Sequence, residues 1–423
     1  MQTKLYIEHF TKSFINHKNI LLYMKKVVLR NGLTVLFEQK RGNAVVVEIM
    51  IKVGSNYETA TERGISHFIE HMLFEGTKKR PTNLLISNEI EKIGGEFNAY
   101  TTNERTCFYV KVLKKHFTKA IDVLSDILQN SLFKEEDVLK ERNIVIKEID
   151  LVNDEPRYYQ WDLLQRTIFE KHPTKYPVYG ERKVIKSMTR KKVLDYFNRY
   201  YVPNNMIISV VGDVKNWQKE IKQKFVFKKK RLAKGKKITE PIQKKNKEKK
   251  EKRKIASTYT VMGFKTVPRS HKDSYTLDVI DGVLGRGQSG KMFTEIRAKK
   301  ALAYDVGTQH LADIDFGYFA IYATIDKKNL VLVKKTILTE LAKLKNLSAK
   351  DLNEAKTFIE GDYLLEIEDP QKVADQIVFW EQAGTAKMIN NYVKNIKKVT
   401  IKDVQRIMNK YFKYYTFVIV EGK

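Results

Sequence analysis

The stretch ISHFIEHMLFEG occupies residues 65–76 of the chain. An α-helix turns by about 100° per residue, so a helix over this stretch would have two distinct faces. Its apolar face would comprise Ile65, Phe68, Ile69, Met72 and Leu73, and its opposite face His67, Glu70, His71 and Phe74. We therefore predict a helix from Ile65 to about Glu75, closed by Gly76, with one face in a core and the other available for chemistry.

Two histidines one helical turn apart can bring two imidazoles to one zinc ion. Glu70 lies on the same face as His67 and His71 and does not have to be a ligand. It is then placed to take a proton from water held at the zinc, whose pKa falls to about 7. The alternative is that both histidines lie on a helix surface or are satisfied in a core. The clean separation of the two faces favours the metal site.

A catalytic zinc ion usually has three protein ligands and one open position, so a third ligand is expected elsewhere. Residues 135–152, EEDVLKERNIVIKEIDLV, predict a helix with Glu141 and Glu148 at the edge of its apolar face. That apolar face comprises Val138, Val145, Ile149 and Val152. Acids beside an apolar stripe are costly unless they have a partner, and a metal is one partner. For this helix taken alone, a solvated helix edge remains the alternative.

The chain divides into two halves in which the same order of elements recurs. In the first half, a hairpin is expected over VVLRNGLTVLFEQ (27–39), and strands over 44–53, 97–103 and 105–113. In the second half, a strand over TYTVMGF is followed by a helix near 274–284, strands near 305–308 and over GYFAIYATI, and a helix after 330, so strands and helices do not alternate strictly. We predict an α+β fold of two duplicated domains, each an antiparallel sheet packed with helices. The boundaries are 1–23 for an N-terminal extension, 24–227 and 255–423 for the domains, and 228–254 for a linker.

The positive charge is unevenly distributed. The chain has 79 Lys and Arg against 50 Asp and Glu, and residues 228–254 alone hold 15 basic and three acidic residues. This segment has no stacking aromatics and no helical apolar period. Such a composition is typical of a solvated linker, and a surface that binds single-stranded nucleic acid would need the aromatics. We expect no specific nucleic-acid partner.

Composition also argues against several protein classes. The single cysteine, Cys107, cannot form an internal disulfide, so a disulfide-framed secreted protein is not expected. The longest apolar runs are strand-sized, well short of the roughly 20 residues that cross a bilayer. Residues 1–23 contain Glu8 and no signal-peptide core, which indicates a cytoplasmic location and only weakly a mitochondrial one. Met24 is an alternative start of the protein.

The motif HFIEHMLFEGT, followed by FNAYTTNERTCFY and ERNIVIKEI, closely resembles the inverted-zincin metallopeptidases of the pitrilysin or insulinase type, which include mitochondrial processing peptidase. The resemblance extends over nearly the whole chain from Met24. It implies one zinc ion per chain, with His67, His71 and Glu148 as ligands. Glu70 corresponds to the general base and Glu141 to an auxiliary acid of the catalytic site.

The resemblance also implies how a peptide is bound. The stretch around Asn98 and Ala99 corresponds to an edge strand on which an extended substrate is laid, and main-chain hydrogen bonds would accept many sequences there. In the second half, GVLGRGQSGKMFTEIRAKKALAY resembles the family segment with an Arg and Tyr pair, here Arg297 and Tyr304. The pair would hold or polarise the substrate carbonyl in an oxyanion-type role. The second half lacks an H-x-x-E-H motif and should bind no zinc.

Members of this family enclose a chamber of four related domains, and this chain supplies two. A homodimer is the simplest expectation, and the alternative is a catalytic subunit paired with an inactive paralogue. The chain lacks the glycine-rich substrate loop of the processing-peptidase α subunit, which favours a general zinc endopeptidase for short or unfolded peptides. An inactive scaffold subunit would usually have lost His67, Glu70 or Glu148, and all three are present.

Overall fold

The computed structural model describes residues 24–227 and 238–422. The first half contains a six-stranded sheet in the spatial order β1-β2-β6-β3-β5-β4. Its strands are β1 (Lys25–Val28), β2 (Thr34–Glu38), β3 (Ala44–Ile51), β4 (Glu96–Thr101), β5 (Thr106–Leu113) and β6 (Met206–Gly212). Its helices are α1 (Ile65–Met72), α2 (Asn83–Glu91), α3 (Phe117–Asn130), α4 (Glu135–Asp154), α5 (Pro156–Ile168), α6 (Arg182–Lys186), α7 (Arg190–Tyr200) and α8 (Trp217–Lys224).

The second half contains a five-stranded sheet in the order β7-β11-β8-β10-β9. Its strands are β7 (Lys247–Lys252), β8 (Thr258–Lys265), β9 (Ala303–Ala312), β10 (Gly317–Ile325) and β11 (Thr416–Glu421). Its helices are α9 (Asp273–Gly285), α10 (Leu330–Lys343), α11 (Ala349–Glu366), α12 (Pro370–Ala383), α13 (Tyr392–Lys398) and α14 (Ile401–Tyr411). No helix within the described ranges is long and apolar enough to cross a bilayer.

The two sheets are repeats of one another. In each, a parallel pair, β2 with β6 or β7 with β11, is followed by three antiparallel pairings in the same order. The predicted fold class, two duplicated α+β domains with mainly antiparallel sheets, is confirmed. Corresponding elements start 214 residues apart: Ala44 and Thr258, Glu135 and Ala349, Pro156 and Pro370.

The two halves exchange a helix. Helix α5 of the first half packs against β8 and β11 of the second sheet, and α12 of the second half packs against β3 and β6 of the first. Leu164 on α5, for example, is fully buried in a cluster with Val261 and Val418 of the second sheet. Both helices start alike, since an acidic side chain caps the first turn and a proline follows it.

The basic segment, residues 228–254, differs in part from the prediction. The solvated linker expected over 228–254 is wrong at Lys247–Lys252, where β7 pairs with β11 over six residues. The strand lies at the sheet edge and is mostly exposed, so its charges remain in water and no apolar pattern is needed. Glu248 forms an ion pair with Lys334 at 2.7 Å, and Lys250 forms one with Glu421. Residues 1–23 and 228–237, and what we predicted of them, lie outside the described residues.

Smaller differences concern the ends of elements. Helix α1 ends at Met72, one turn before the predicted Glu75, because the chain already turns at Leu73 and Phe74. Gly76 is therefore not its cap, although Gly76 does have a positive φ of 155°. The hairpin of β1 and β2 forms as predicted, with an antiparallel register and a turn at Gly32.

Candidate metal centre

Helix α1 orients its two faces as the sequence predicts. All five residues of the apolar face are fully buried, whereas His67, Glu70 and His71 are partly exposed. A buried carboxylate fixes the start of the helix: Glu58 accepts hydrogen bonds from the backbone N–H groups of Gly64 at 2.7 Å and Ser66 at 2.9 Å. Burial raises the pKa of Glu58 to about 7, although these two N–H groups favour the charged form.

Helix α4 packs against α1 and brings a carboxylate to each histidine. Glu148 Oε2 lies 2.9 Å from Nε2 of His67, and Glu148 Oε1 lies 3.7 Å from Nε2 of His71. Glu141 Oε2 lies 2.9 Å from Nδ1 of His71. Burial lowers the pKa of His67, but the hydrogen bonds to Glu148 and Glu70 outweigh it and raise this pKa to about 9.

One potential ligand atom from each of His67, His71 and Glu148 lies within 4.8 Å of the other two. Two imidazoles with one carboxylate match the ligand types of a catalytic zinc site, and the three atoms are near enough to close around one ion after small side-chain movements. Within the described ranges, no other three His, Cys, Asp or Glu residues meet in this way. The residues therefore fit the predicted metal site, and their binding of zinc remains a prediction.

Glu141 and Glu148 differ in burial and in the histidine atoms that they contact. Its side chain is 3% exposed, against 40% for Glu148, and it contacts the outer nitrogen of His71. An acceptor at Nδ1 holds the proton there, which leaves Nε2 of His71 as the metal-facing atom. Glu141 is thus placed to orient a ligand from outside the ligand set.

Glu70 lies beside the cluster, with Oε2 3.7 Å from Nδ1 of His67. The hydroxyl of Thr101, on β4, donates a hydrogen bond to the same carboxylate. Neither Thr101 nor Glu58 was predicted from the sequence. Thr101 lies two residues after Ala99 and so faces the same side of β4, but no spacing in the chain connects it to Glu70.

The predicted substrate strand, β4, lies at the edge of the first sheet and, among the described strands, pairs with β5 alone. Asn98 is exposed and Ala99 is half-buried. The N–H of Ala99 donates to Oδ1 of Asn98 at 2.8 Å, a contact with its own neighbour and not with β5. The strand thus has the free edge that pairing with an extended peptide requires.

Arg297 and Tyr304 lie in irregular backbone of the second half. Arg297 is on a π-helical turn, Phe293–Ala298, and its guanidinium lies 5.0 Å from the ring centroid of Phe293. Tyr304 is 78% exposed and occupies a β-bulge, because its neighbours in β9 pair with consecutive residues of β10. Such turns and bulges often re-aim side chains at functional sites. Neither side chain forms a hydrogen bond within the described ranges, so both polar groups remain available to a ligand.

The sequence matches two family descriptions. Residues 34–182 match "Insulinase (Peptidase family M16)", and residues 187–359 match "Peptidase M16 inactive domain". The histidine and glutamate cluster lies in the first segment, and Arg297 and Tyr304 lie in the second.

Similar proteins are known from several organisms. The chain is 33% identical over 350 residues to an "uncharacterized zinc protease YmxG" of Bacillus subtilis, covering 82% of this chain and 85% of that protein. It is 36% identical over 234 residues to the mitochondrial-processing peptidase subunit beta of Dictyostelium discoideum, covering 53% and 50%. A crystal structure of a Helicobacter pylori protease superimposes with a TM-score of 0.90 at 24% identity, over 95% of this chain and all of that one. At this identity the last comparison shows the fold alone.

Proposed function

Because this chain belongs to peptidase family M16, we propose that it is a zinc endopeptidase that hydrolyses peptides or unfolded polypeptide segments. The observation that carries the proposal is the convergence of His67, His71 and Glu148 beside Glu70 on two packed helices. Zinc peptidases among the relatives support the same metal, and we assign one ion to each chain.

The side chains divide the chemistry among them. His67, His71 and Glu148 would hold the metal, and Glu141 would orient His71. A zinc ion bound there polarises the substrate carbonyl and acidifies a water molecule. Glu70, which the Thr101 hydroxyl orients, would take the proton of the attacking water and deliver it to the departing amine nitrogen.

Strand β4 supports the proposal from the substrate side. An extended peptide would add a strand beside Asn98 and Ala99, with main-chain hydrogen bonds that depend little on sequence. The scissile bond of such a peptide would lie near Glu70, and the contact between Thr101, at the end of the same strand, and Glu70 supports this proposal. Arg297 and Tyr304, exposed and without a hydrogen-bonding partner in the described ranges, would hold the carbonyl oxygen.

We assign the Arg297 and Tyr304 that act at a given metal centre to the partner subunit. A homodimer would bring Arg297 and Tyr304 of one chain to the metal centre of the other and enclose the substrate in a chamber. A chamber of this kind admits peptides and unfolded segments and excludes folded proteins. The alternative assembly is a heterodimer with an inactive paralogue, in which this chain supplies the metal centre.

The test of the proposed function is Glu70→Gln. The substitution removes the base and leaves the three ligands, so zinc content should stay at one ion per chain while peptide cleavage falls by about 100-fold or more. Metal analysis and cleavage of a peptide library, with and without chelator, measure the two quantities. The matched control, His67→Ala, should lose both zinc and cleavage. Wild-type turnover in Glu70→Gln would refute the mechanism.

A further inference from the structure

A cavity of about 390 Å³ lies between α9, α11 and α12 in the second half. It occupies the position that the metal centre has in the first half. His67 lies 16 residues after the end of β3 at Ile51, and Asp281 lies 16 residues after the end of β8 at Lys265. In the same way, Asp362 has the position in α11 that Glu148 has in α4. Both aspartates line the cavity.

The comparison of the two halves also explains why the cavity has space and why it lacks a set of zinc ligands. Gly285 stands where the first half has His71, and Ala355 stands where it has Glu141. Two large polar side chains are therefore replaced by small ones. The carboxylates that remain do not gather three ligand atoms around one point, since the described residues do so only at His67, His71 and Glu148.

Only some of the carboxylates that line the cavity have ion-pair partners within the described ranges. Asp278 at its base is neutralised, because Arg269 binds it at 2.5 Å and His310 at 2.7 Å. Asp281 accepts a hydrogen bond from the Thr308 hydroxyl but has no ion-pair partner in the described ranges. Asp362 has no ion-pair partner there either.

Glu366, one turn further along α11, adds a third carboxylate to the lining. Its nearest cation is Lys372 at 3.9 Å, at the limit of an ion pair. Burial raises the pKa of Glu366; Lys372 opposes this effect, whereas the neighbouring carboxylate of Asp362 adds to it. A cation between Glu366 and Asp362 would relieve the repulsion between the two acids. This acidic cavity stands out in a chain of net charge +29.

Two other features of the residues that line the cavity favour a peptide as the ligand over a simple cation. Aromatic side chains surround the carboxylates, among them Phe358, Phe379 and Trp380, and aromatic faces attract guanidinium and ammonium groups. Arg286 also lines the cavity; its Nη2 forms an ion pair with Glu354, and its Nη1 is buried without a hydrogen-bond partner. A main-chain carbonyl oxygen next to a basic side chain would satisfy this donor.

We propose that this cavity binds an arginine or lysine side chain of the peptide substrate, with Asp281, Asp362 and Glu366 facing the cation and Arg286 facing a peptide carbonyl. Its volume falls within the range of about 300–1,000 Å³ typical of ligand pockets. The inference rests on the proposed peptidase function and adds a preference for basic peptides, set by the half of the chain that lacks the metal ligands.

Binding of a small probe tests the site without turnover. Nα-acetyl-argininamide carries the guanidinium and two carbonyl groups, and its citrulline analogue has the same shape without the charge. Isothermal titration of the full chain at low salt should show the arginine compound binding about tenfold or more tightly than the citrulline compound. Trp380 in the lining provides a second signal through its fluorescence.

The double variant Asp362→Asn with Glu366→Gln should abolish this preference. The matched control, Asp326→Asn with Glu136→Gln, removes two charges at side chains that are 70% and 77% exposed and should keep the preference. Equal affinity for the two probes in the wild-type chain, or an unchanged preference in the double variant, would overturn the proposal. If the double variant does not fold, the comparison of probes and the single variant Asp362→Asn decide.

The outcome is separable from the proposed function. If the chain cleaves peptides but shows no arginine preference, the cavity proposal fails and the peptidase stands. If the probe binds in the cavity but no peptide is cleaved and no zinc is bound, the peptidase proposal fails.

Discussion

At the scale of single residues, the metal centre depends on groups that would not themselves touch zinc. Glu141 is nearly fully buried, and its carboxylate holds Nδ1 of His71. Glu58 fixes the first turn of α1, and the Thr101 hydroxyl contacts Glu70. The proposed ligands and the proposed base are thus contacted from three different parts of the chain, which would pre-organise the site.

We expect Glu141→Leu to weaken zinc binding by about 10- to 100-fold, because His71 loses the acceptor that orients its ring. Glu141→Gln keeps an oxygen that can accept this hydrogen bond and should lose less. Competition with a chromophoric chelator measures both affinities. Equal zinc affinity in wild type and Glu141→Leu would show that Glu141 does not position the ligand.

The residues of the cluster could be predicted from the sequence, whereas Glu58 and Thr101, which contact α1 and Glu70, could not. Spacing puts His67, Glu70 and His71 on one face of a short helix, and Glu141 and Glu148 on one face of another. The resemblance to the metallopeptidase family, and not spacing, connected the two helices. Glu58 and Thr101 reach the same centre from a loop and from another strand. Their contacts depend on tertiary packing, which no local period in the sequence encodes.

At the scale of elements, the exchanged helices link the two halves. Leu164 on α5 is fully buried against the second sheet, and a Cβ added at Gly263 of β8 would lie 2.6 Å from its Cδ1. A larger residue at position 263 would therefore clash with Leu164, so α5 packs directly against the backbone of β8. The packing of α5 therefore stabilises a sheet that belongs to the other half.

We expect Leu164→Ala to lower the free energy of unfolding by about 2–5 kcal/mol, because it leaves a cavity between α5 and β8. Denaturant unfolding followed by circular dichroism measures the change. The control Leu84→Ala, at a side chain that is 74% exposed, should change it by less than about 0.5 kcal/mol. A loss of similar size in both variants would argue against a tight α5 contact.

Strands and helices with a periodic apolar pattern could be predicted from the sequence. Strand β7, which has no such pattern, could not. Strands β3, β5, β8 and β10 have buried apolar residues that indicate them in the sequence. Strand β7, with the sequence KEKKEK, has none and owes its place to backbone pairing with β11 and to ion pairs. The exchange of α5 and α12 was also missed, since a helical period shows which face is buried but not against which sheet.

At the scale of the whole molecule, the proposed dimer predicts complementation between two inactive variants. If Arg297 acts on the metal centre of the partner chain, a mixed dimer of Glu70→Gln and Arg297→Ala chains has one intact site. With random exchange of subunits, about a quarter of wild-type peptidase activity should return. Activity that stays at the level of the separate variants, despite subunit exchange shown by mass spectrometry, would place the pair in the same chain as its zinc.

The reciprocal placement of α5 and α12 has a consequence for how such a chain can change over generations. The first half relies on a helix of the second to cover its sheet, and the second relies on a helix of the first. The half that has Asp281 and Gly285 at the positions of the two histidines therefore cannot be removed without exposing the sheet of the other half. Each half is an obligatory structural partner of the other, whatever chemistry it carries, so the corresponding site in the second half can differ without loss of the scaffold.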